Sequence, residues 1–257
     1  MKFTVSRRGF LVSAAKAVTA GILAPVATLT AAQNILADEP LQTKEKFSLW
    51  ANNDWGFAID VNKCIGCGLC VKACKQENGV PLDQEVYRTW VERYLKFSEE
   101  DVRIDSPRGG LDFKQYDVRP EKQFFVPKLC NQCKNPPCVQ VCPVGATYRT
   151  PDGVVLVDRK RCIGCRYCIQ SCPYGARFLH PVLKVADKCT WCYHRISKGL
   201  QPACVEVCPK KARKFSNLRD PNSEVATIRR KDRIRLLKPD MGTKPNVAYI
   251  DLDEVVK

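Results

Sequence analysis

Histidine and methionine are almost absent from this 257-residue sequence, which contains two residues of each. They are the main soft metal ligands that proteins use besides cysteine, so any soft-metal chemistry in this chain has to use thiolates. Sixteen cysteines are present for such chemistry. Hydrophobic residues make up 45% of the chain, which is enough for a packed core and excludes collagen and wholesale disorder.

The sequence signatures of common catalytic sites are absent as well. There is no phosphate-binding loop, no dinucleotide-binding fingerprint and no arrangement of nucleophile and base. His180 and His194 are not spaced as a metal-binding pair, and we expect both to be ordinary loop or interface residues. After residue 37, no apolar segment is long enough to span a bilayer. We therefore predict that the chain is not catalytic alone and reaches any membrane through a partner.

Residues 1–37 have the features of an export signal. Arg7 and Arg8 lie close to the N-terminus, an apolar Ala- and Thr-rich run follows at residues 17–32, and the first acidic residue is Asp38. These features predict a twin-arginine signal peptide, followed by an N-terminal extension over residues 38–56. The twin-arginine route exports proteins already folded around their cofactors, so it predicts a periplasmic protein whose thiols are bound to metal before export.

The sixteen cysteines form four tetrads, and none is left over. The first and third have the spacing C-x2-C-x2-C-x3-C, the second has one longer gap, and the fourth contains a longer loop. The tetrads are Cys64, Cys67, Cys70 and Cys74; Cys130, Cys133, Cys138 and Cys142; Cys162, Cys165, Cys168 and Cys172; and Cys189, Cys192, Cys204 and Cys208. Proline follows the last cysteine of every tetrad except the first, and this run is typical of 4Fe-4S clusters in bacterial ferredoxins.

The repeated pattern continues beyond the cysteines. Three tetrads are followed by Pro-x-x-Ala, and residues 147–158 predict two short strands around an Asp-Gly turn. Residues 57–61 and 182–185 predict short strands that lead into the first and fourth tetrads. The pattern predicts an α+β fold with two ferredoxin-like two-cluster modules, built from short β-hairpins and short helices, over residues 57–215.

Two other uses of the cysteines have to be weighed against four 4Fe-4S clusters. Eight disulfides would also use an even number of cysteines, but C-x2-C-x2-C places three sulfurs too close together for three separate bridges. The fourth tetrad alone could pass for a zinc site made of paired cysteines. Neither alternative explains the fourfold repetition, so we predict four clusters.

Net charge supports the same interpretation. The formal charge of +15, from 42 Lys and Arg against 27 Asp and Glu, would ordinarily suggest nucleic acid or an anionic membrane as a partner. An oxidised 4Fe-4S cluster with its four thiolates has a charge of about −2, so four clusters would offset much of this excess. We therefore predict an internal counter-charge and no nucleic-acid partner.

The pairing of tetrads follows only in part from their spacing. If the fourth cysteine of each tetrad binds the neighbouring cluster, the tetrads must couple in pairs. The second and third are separated by residues 143–161, which include the predicted hairpin, as in a two-cluster ferredoxin. This leaves the first with the fourth by elimination, although the third with the fourth remains an alternative on spacing alone.

Residues 66–78, 126–138 and 237–247 closely resemble the four-cluster electron-transfer subunit of dimethyl sulfoxide reductase-family complexes, the molybdopterin oxidoreductases. The sequence is similar to the iron–sulfur subunits of polysulfide, thiosulfate, tetrathionate and arsenate reductases and of menaquinone reductases. The resemblance implies nested ligand sets. These are Cys64, Cys67, Cys70 and Cys208 for cluster one; Cys189, Cys192, Cys204 and Cys74 for cluster two; Cys130, Cys133, Cys138 and Cys172 for cluster three; and Cys162, Cys165, Cys168 and Cys142 for cluster four.

The resemblance also implies the partners. We expect the chain to relay electrons between a quinone-reactive membrane subunit and a molybdopterin-type catalytic subunit of a periplasmic respiratory oxidoreductase. A cytochrome c is a further candidate partner, and attachment to the inner membrane is expected to be peripheral. A free-standing periplasmic polyferredoxin is the alternative function, and a structural protein stapled by zinc or disulfides is a third.

The remaining segments allow two interpretations each. The cysteine-free, aromatic-rich stretch at 75–129 is expected to be a loop-rich insertion that covers the cluster core, although a docking surface is also compatible with it. Residues 216–257 are predicted to form a C-terminal partner-docking tail. Trp191, beside Cys192, either packs in the core or shields a cluster from water. Basic residues around the tetrads either raise cluster potentials or are ordinary surface charges.

Overall fold

The computed structural model describes residues 52–115, 117–231 and 233–256. The predicted signal peptide and most of the predicted extension lie outside the described residues. The strands are β1 (Trp55–Asp60), β2 (Thr89–Lys96), β3 (Val102–Asp105), β4 (Lys122–Leu129), β5 (Thr147–Arg149), β6 (Val155–Val157), β7 (Arg177–Leu179), β8 (Ala186–Lys188), β9 (Arg213–Asn217), β10 (Ile234–Arg235) and β11 (Val247–Ile250). The helices are α1 (Leu69–Asn78), α2 (Pro137–Gln140), α3 (Tyr167–Gln170), α4 (Tyr193–Ile196), α5 (Ala203–Glu206) and α6 (Glu224–Lys231).

The main sheet brings the two ends of the described chain together. Its strand order is β10-β11-β1-β9, with β1 parallel to β11 and antiparallel to β9. Phe57 and Ile59 lie in the large hydrophobic core, whereas Ala58 packs with Val225 of α6 on the other face. This alternation with a period of two is expected of a strand that is buried on both faces.

The insertion at 75–129 contains a second sheet, so the prediction of a loop-rich segment is wrong for the residues of its three strands. β2 lies between β3 and β4 and is antiparallel to both. Val91 and Tyr94 of β2 are buried in the same core as Cys70. β2 lacks a clean alternation of apolar and polar residues, because the charged Arg93 is buried beside Tyr94, and Pro127 lies within β4, so both strands are hard to recognise from sequence. The packing agrees with an insertion that covers the cysteine loops.

Two small hairpins complete the cysteine modules. The hairpin predicted over residues 147–158 is present as β5 and β6. A second hairpin pairs β7 with β8. The strand predicted at residues 182–185 is misplaced, because the chain turns at 181–183 and pairing begins only at Ala186. Lys184 has a φ of 55°, a left-handed conformation that suits this turn rather than a strand.

The C-terminal segment belongs to the main sheet instead of forming an appended tail. Val247, Ala248 and Tyr249 of β11 have no exposed surface. Arg229, in the basic end of α6, donates a hydrogen bond from Nη2 to the carbonyl oxygen of Asn246 at 2.6 Å. The basic run at the end of α6 is therefore tied to β11. A docking role for the segment stays a prediction.

None of the helices in the described part of the chain is long and apolar enough to cross a membrane.

Candidate metal centres

All four tetrads begin with the same backbone turn. The residue two positions after the first cysteine has a left-handed conformation in each case, with φ of 69° at Gly66, 45° at Gln132, 71° at Gly164 and 53° at Trp191. Glycine adopts this conformation without steric cost, whereas Gln132 and Trp191 are held in it by their surroundings. Glycine is the residue expected in such a turn, so Gly66 and Gly164 are recognisable from sequence, whereas the same conformation at Gln132 and Trp191 is not.

Two of these positions also require the absence of a side chain. A Cβ at Gly66 would lie 2.3 Å from the ring of Phe125, and a Cβ at Gly164 would lie 2.6 Å from the carbonyl oxygen of Lys184. Both glycines therefore allow a neighbouring segment to approach the cysteine loop closely.

Backbone N–H groups are directed at several of the sulfurs. Ala212 donates to Cys208 Sγ at 3.3 Å, and Thr147 donates to Cys142 Sγ at 3.4 Å. Ala186 donates to Cys162 Sγ at 3.3 Å and Trp191 to Cys189 Sγ at 3.4 Å, so every tetrad after the first receives such a bond. Hydrogen bonds of this kind stabilise thiolate and are among the features that set iron–sulfur potentials.

Burial raises the pKa of most of the cysteine thiols for which a shift is resolved. It is the main cause that raises the pKa of Cys64 to about 11 and the pKa of Cys204 to about 11. The pKa of Cys74 is well above the ordinary value because the thiol is buried and faces other sulfurs. At Cys142 burial also opposes ionisation, but backbone hydrogen bonds outweigh it and lower the pKa. Crowded, buried thiols become stable thiolates only with positive charge among them, which iron ions would supply.

The thiols can be divided into four groups of electrostatic neighbours, each with three members from one tetrad and one from another, although Cys189 and Cys204 each also have a neighbour in an adjacent group. Group one is Cys64, Cys67, Cys70 and Cys208; group two is Cys74, Cys189, Cys192 and Cys204; group three is Cys130, Cys133, Cys138 and Cys172; and group four is Cys142, Cys162, Cys165 and Cys168. The thiols of group one also line a common cavity. These groups have the same members as the ligand sets that the resemblance implies, and their binding of one cluster each stays a prediction.

The helix α1 shows how one tetrad contributes to two groups. Cys70 and Cys74 lie four residues apart on α1 and are both buried. Cys70 faces Cys67 and Cys208 of group one, whereas Cys74 faces Cys189 and the rest of group two. One helix thus places its two thiols in adjacent groups.

The arrangement suits clusters better than disulfides. All sixteen cysteines are free thiols. In the described ranges, no three His, Cys, Asp or Glu side chains converge closely enough to hold a single metal ion. Cluster ligands need no such convergence, because each thiolate binds a different iron atom of the cube.

Two buried arginines beside these groups were missed by the sequence analysis. Arg177 and Arg213 are 4% and 2% exposed and begin β7 and β9. Arg213 has Cys70 and Cys204 among its electrostatic neighbours, and Arg177 has Cys138 and Cys168. Each arginine is the fifth residue after the last cysteine of its tetrad, in the pattern C-P-x-x-A-R, which could have identified both.

Six other basic residues directly precede a tetrad or lie within one of the first three, and most of them are more exposed than these two arginines. Lys63, Lys72, Arg161 and Arg166 are exposed, and Lys134 is half-buried. Lys188 alone among these six is fully buried, and its Nζ donates to the carbonyl oxygen of Cys189 at 2.8 Å. For the four exposed residues, the interpretation as ordinary surface charges is therefore sufficient.

Trp191 packs in the core, and the two histidines form hydrogen bonds within the protein. The Trp191 ring is 2% exposed and packs edge-on against Phe215, with the ring centroids 5.4 Å apart. His180 Nδ1 accepts hydrogen bonds from the backbone of its own turn. His194 Nε2 lies 2.6 Å from Glu77 Oε1 at the surface.

Comparison with known families agrees with this geometry. Two models of a 4Fe-4S dicluster domain match the chain, one at residues 63–146 and the other at residues 121–218. Two dicluster domains correspond to four clusters, and together the matched residues include all sixteen cysteines.

Individual relatives are similar over most of their length. The chain is 43% identical to a tetrathionate reductase subunit of Salmonella typhimurium over 202 residues, which cover 78% of this chain and 73% of the relative. It is 35% identical to an Hdr-like menaquinol oxidoreductase iron-sulfur subunit of Archaeoglobus fulgidus, covering 96% of this chain and 98% of the relative. Identity to a sulfite dehydrogenase subunit of Allochromatium vinosum is 40%, covering 75% of this chain and 80% of the relative.

Proposed function

The chain belongs to the 4Fe-4S dicluster family of iron–sulfur subunits of oxidoreductase complexes, and on this premise we propose which residues hold each cluster and which partners exchange electrons with it. It is an electron-transfer subunit with four 4Fe-4S clusters and not the catalytic subunit. When bound, the clusters supply one-electron redox chemistry, since iron with four sulfur ligands has no open position for substrate.

Each group of neighbouring thiols holds one cluster. Group one, group two, group three and group four thus provide the ligands of clusters one, two, three and four. The observation that supports this assignment is the position of the fourth cysteines. Cys74 faces the thiols of the fourth tetrad, and Cys172 faces Cys130 of the second.

The four groups form a linear relay. Cys204 of group two neighbours Cys70 of group one, and Cys189 of group two neighbours Cys130 of group three. Groups three and four meet around Arg177, which neighbours thiols of both. Electrons therefore enter and leave at groups one and four, and groups two and three are internal.

The exposure of the cysteines supports this order of the four groups in the relay. All four thiols of group two are buried, whereas Cys67 of group one and Cys165 of group four are exposed. Apolar side chains are exposed at the same two ends, with Ile65 at 52% beside group one and Ile163 at 66% beside group four. Exposed apolar residues around a redox centre are suited to contact with a partner protein.

The partners are a molybdopterin-type catalytic subunit at one end of the relay and a quinone-reactive membrane subunit at the other. Relatives named as subunits of tetrathionate reductase, sulfite dehydrogenase and menaquinol oxidoreductase support a complex of this kind. Arg7 and Arg8 support export by the twin-arginine route, with peripheral attachment to the inner membrane from the periplasm.

Anaerobic purification of the tagged chain from its own host tests this proposal. We expect about sixteen iron and sixteen acid-labile sulfide per chain, because each of four cubanes contains about four of each. We also expect a molybdenum-containing large subunit to co-purify in stoichiometric amount. A loaded, monodisperse monomer without partners would instead support the free-standing carrier.

Surface variants sharpen the test. Ile65→Glu and Ile163→Glu should each release one partner and retain the other, because each introduces a charge at one end of the relay. Ile104→Glu is the matched control, since Ile104 is similarly exposed at 54% but lies on β3, in the insertion sheet. Retention of both partners by both end variants would contradict the proposed docking ends.

A further inference from the structure

Arg177 and Arg213 occupy equivalent places in the two halves of the cysteine core. Each donates one hydrogen bond to a threonine hydroxyl, from Arg177 Nη2 to Thr147 Oγ1 at 2.9 Å and from Arg213 Nη2 to Thr89 Oγ1 at 2.8 Å. The threonines lie on β5 and β2, so each guanidinium is fixed between its own strand and another.

Three other nitrogen atoms of these guanidinium groups are buried without an oxygen partner. Within the described ranges, Nε and Nη1 of Arg177 and Nη1 of Arg213 are buried without a nitrogen or oxygen hydrogen-bond partner, and neither residue forms a salt bridge. Arg88 is also buried, but its charge is compensated, because its guanidinium group donates hydrogen bonds to both carboxylate oxygens of Asp187 at 2.8 to 3.1 Å. A buried guanidinium without such a partner would be strongly destabilising.

Cysteine sulfurs are the groups that can compensate these charges. Cys138, Cys168 and Cys130 are the electrostatic neighbours of Arg177 that oppose the cost of its burial. Cys70, Cys204 and Cys64 have the same position beside Arg213. Once these sulfurs are the thiolate ligands of clusters, they supply the negative charge that the two buried guanidinium groups otherwise lack.

The sulfurs around each arginine come from two groups. Arg213 faces Cys70 of group one and Cys204 of group two, and Arg177 faces Cys138 of group three and Cys168 of group four. We propose that each arginine is a fixed counter-charge shared by the two clusters of one pair, and that it raises the reduction potentials of both. This inference rests on the ligand sets proposed above.

A buried cation raises the reduction potential of a cluster because reduction makes the cluster more negative. Each step moves one electron from a donor cluster to an acceptor cluster, and neither a proton nor a covalent bond is exchanged. The reduced cluster has one more negative charge, which a nearby cation stabilises, and burial keeps water from screening the pair. N–H donors directed at sulfur act in the same sense.

Potentiometric titration of the purified complex, followed by EPR spectroscopy, tests the proposal. We expect Arg213→Met to lower the potentials of clusters one and two and leave three and four unchanged, and Arg177→Met to do the opposite. The expected effect is at least a tenfold fall in the equilibrium constant of one-electron reduction, which corresponds to about 59 mV. Arg213→Lys and Arg177→Lys keep the positive charge and should restore most of the potential.

Arg161→Met is the matched control. It removes the same charge next to the ligand Cys162, but the Arg161 side chain is 71% exposed, so water screens it and the potentials should barely move. Iron analysis of every variant separates this inference from the proposed function, because a wild-type chain without four clusters would refute the function itself.

Three results would overturn the inference. The first is unchanged potentials in a fully loaded Met variant, and the second is a shift confined to one cluster of the pair. The third is loss of clusters in both the Met and the Lys variants, which would show that the arginine acts in assembly and not through its charge.

Discussion

Substitution of Gly164 by alanine gives a sharp test of the cysteine-loop geometry. Gly164 lies between Cys162 and Cys165 with a φ of 71°, and an added Cβ would meet the carbonyl oxygen of Lys184 at 2.6 Å. That oxygen is a backbone atom in the turn between β7 and β8, so the contact cannot be relieved by rotating a side chain.

The destabilisation expected from Gly164→Ala has two contributions. A left-handed conformation costs an L-residue about 1–2 kcal/mol, and forcing an extra carbon into a filled space costs about 1–3 kcal/mol. Gly175→Ala provides the control, because Gly175 has a φ of 61° but nothing lies within 4 Å of its Cβ position. The two variants therefore share the first contribution, and their difference of about 1–3 kcal/mol isolates the second.

The measurement is the rate at which clusters are lost in denaturant under anaerobic conditions, followed by visible absorbance. A rate is appropriate because unfolding with loss of clusters is irreversible. We expect both variants to be assembled with four clusters and Gly164→Ala to lose them several-fold faster than Gly175→Ala. Equal rates would refute the close approach of Lys184 to the third tetrad's loop.

Two further predictions concern the first tetrad and its helix. Cys74→Ser should change the EPR signal of the cluster proposed at Cys189, Cys192 and Cys204, and damage confined to the cluster of Cys64, Cys67 and Cys70 would exclude the crossover. Glu77→Gln should reduce acid sensitivity, because a hydrogen bond from His194, helped by Arg195 and opposed by burial, lowers the pKa of Glu77 below 4.5. A carboxyl with a lowered folded-state pKa stabilises the fold above its unfolded-state pKa, and this contribution is lost as pH falls through the folded-state value. The rates of cluster loss in denaturant should therefore differ more between wild type and variant near neutral pH than in acid, and a difference independent of pH would contradict the assignment.

The cysteine loops and their nearest elements were predictable because they depend on local sequence. The spacing of four tetrads, the Asp-Gly hairpin at β5 and β6, and the left-handed turns at Gly66 and Gly164 follow from short-range rules. Gln132 and Trp191 adopt the same turn without glycine, because tertiary contacts fix them. Gln132, for example, is fully buried and donates from Nε2 to the carbonyl oxygen of Cys189 at 2.9 Å.

Features that depend on long-range packing were not predictable in the same way. The insertion sheet was missed because burial in β2 is set by contact with the cysteine core, not by a clean alternation in its sequence. The C-terminal strand β11 pairs with β1 across nearly the whole described chain, so its sequence alone suggests a separate tail. The role of a basic residue likewise depends on its burial, which spacing does not reveal.

Burial also determines which of the many basic residues can act on the clusters. The sequence suggested an internal counter-charge for the clusters, yet four of the six basic residues singled out near the tetrads are exposed, where water and salt weaken their effect. Three buried cations lie instead at the three junctions of the proposed relay. Arg213 lies between groups one and two and Arg177 between groups three and four. Lys188 bonds to the backbone of Cys189 in group two and neighbours Cys138 of group three. Because a cation at a junction acts on both neighbouring clusters, three charges at these positions are expected to affect electron transfer more than the many cations at the surface.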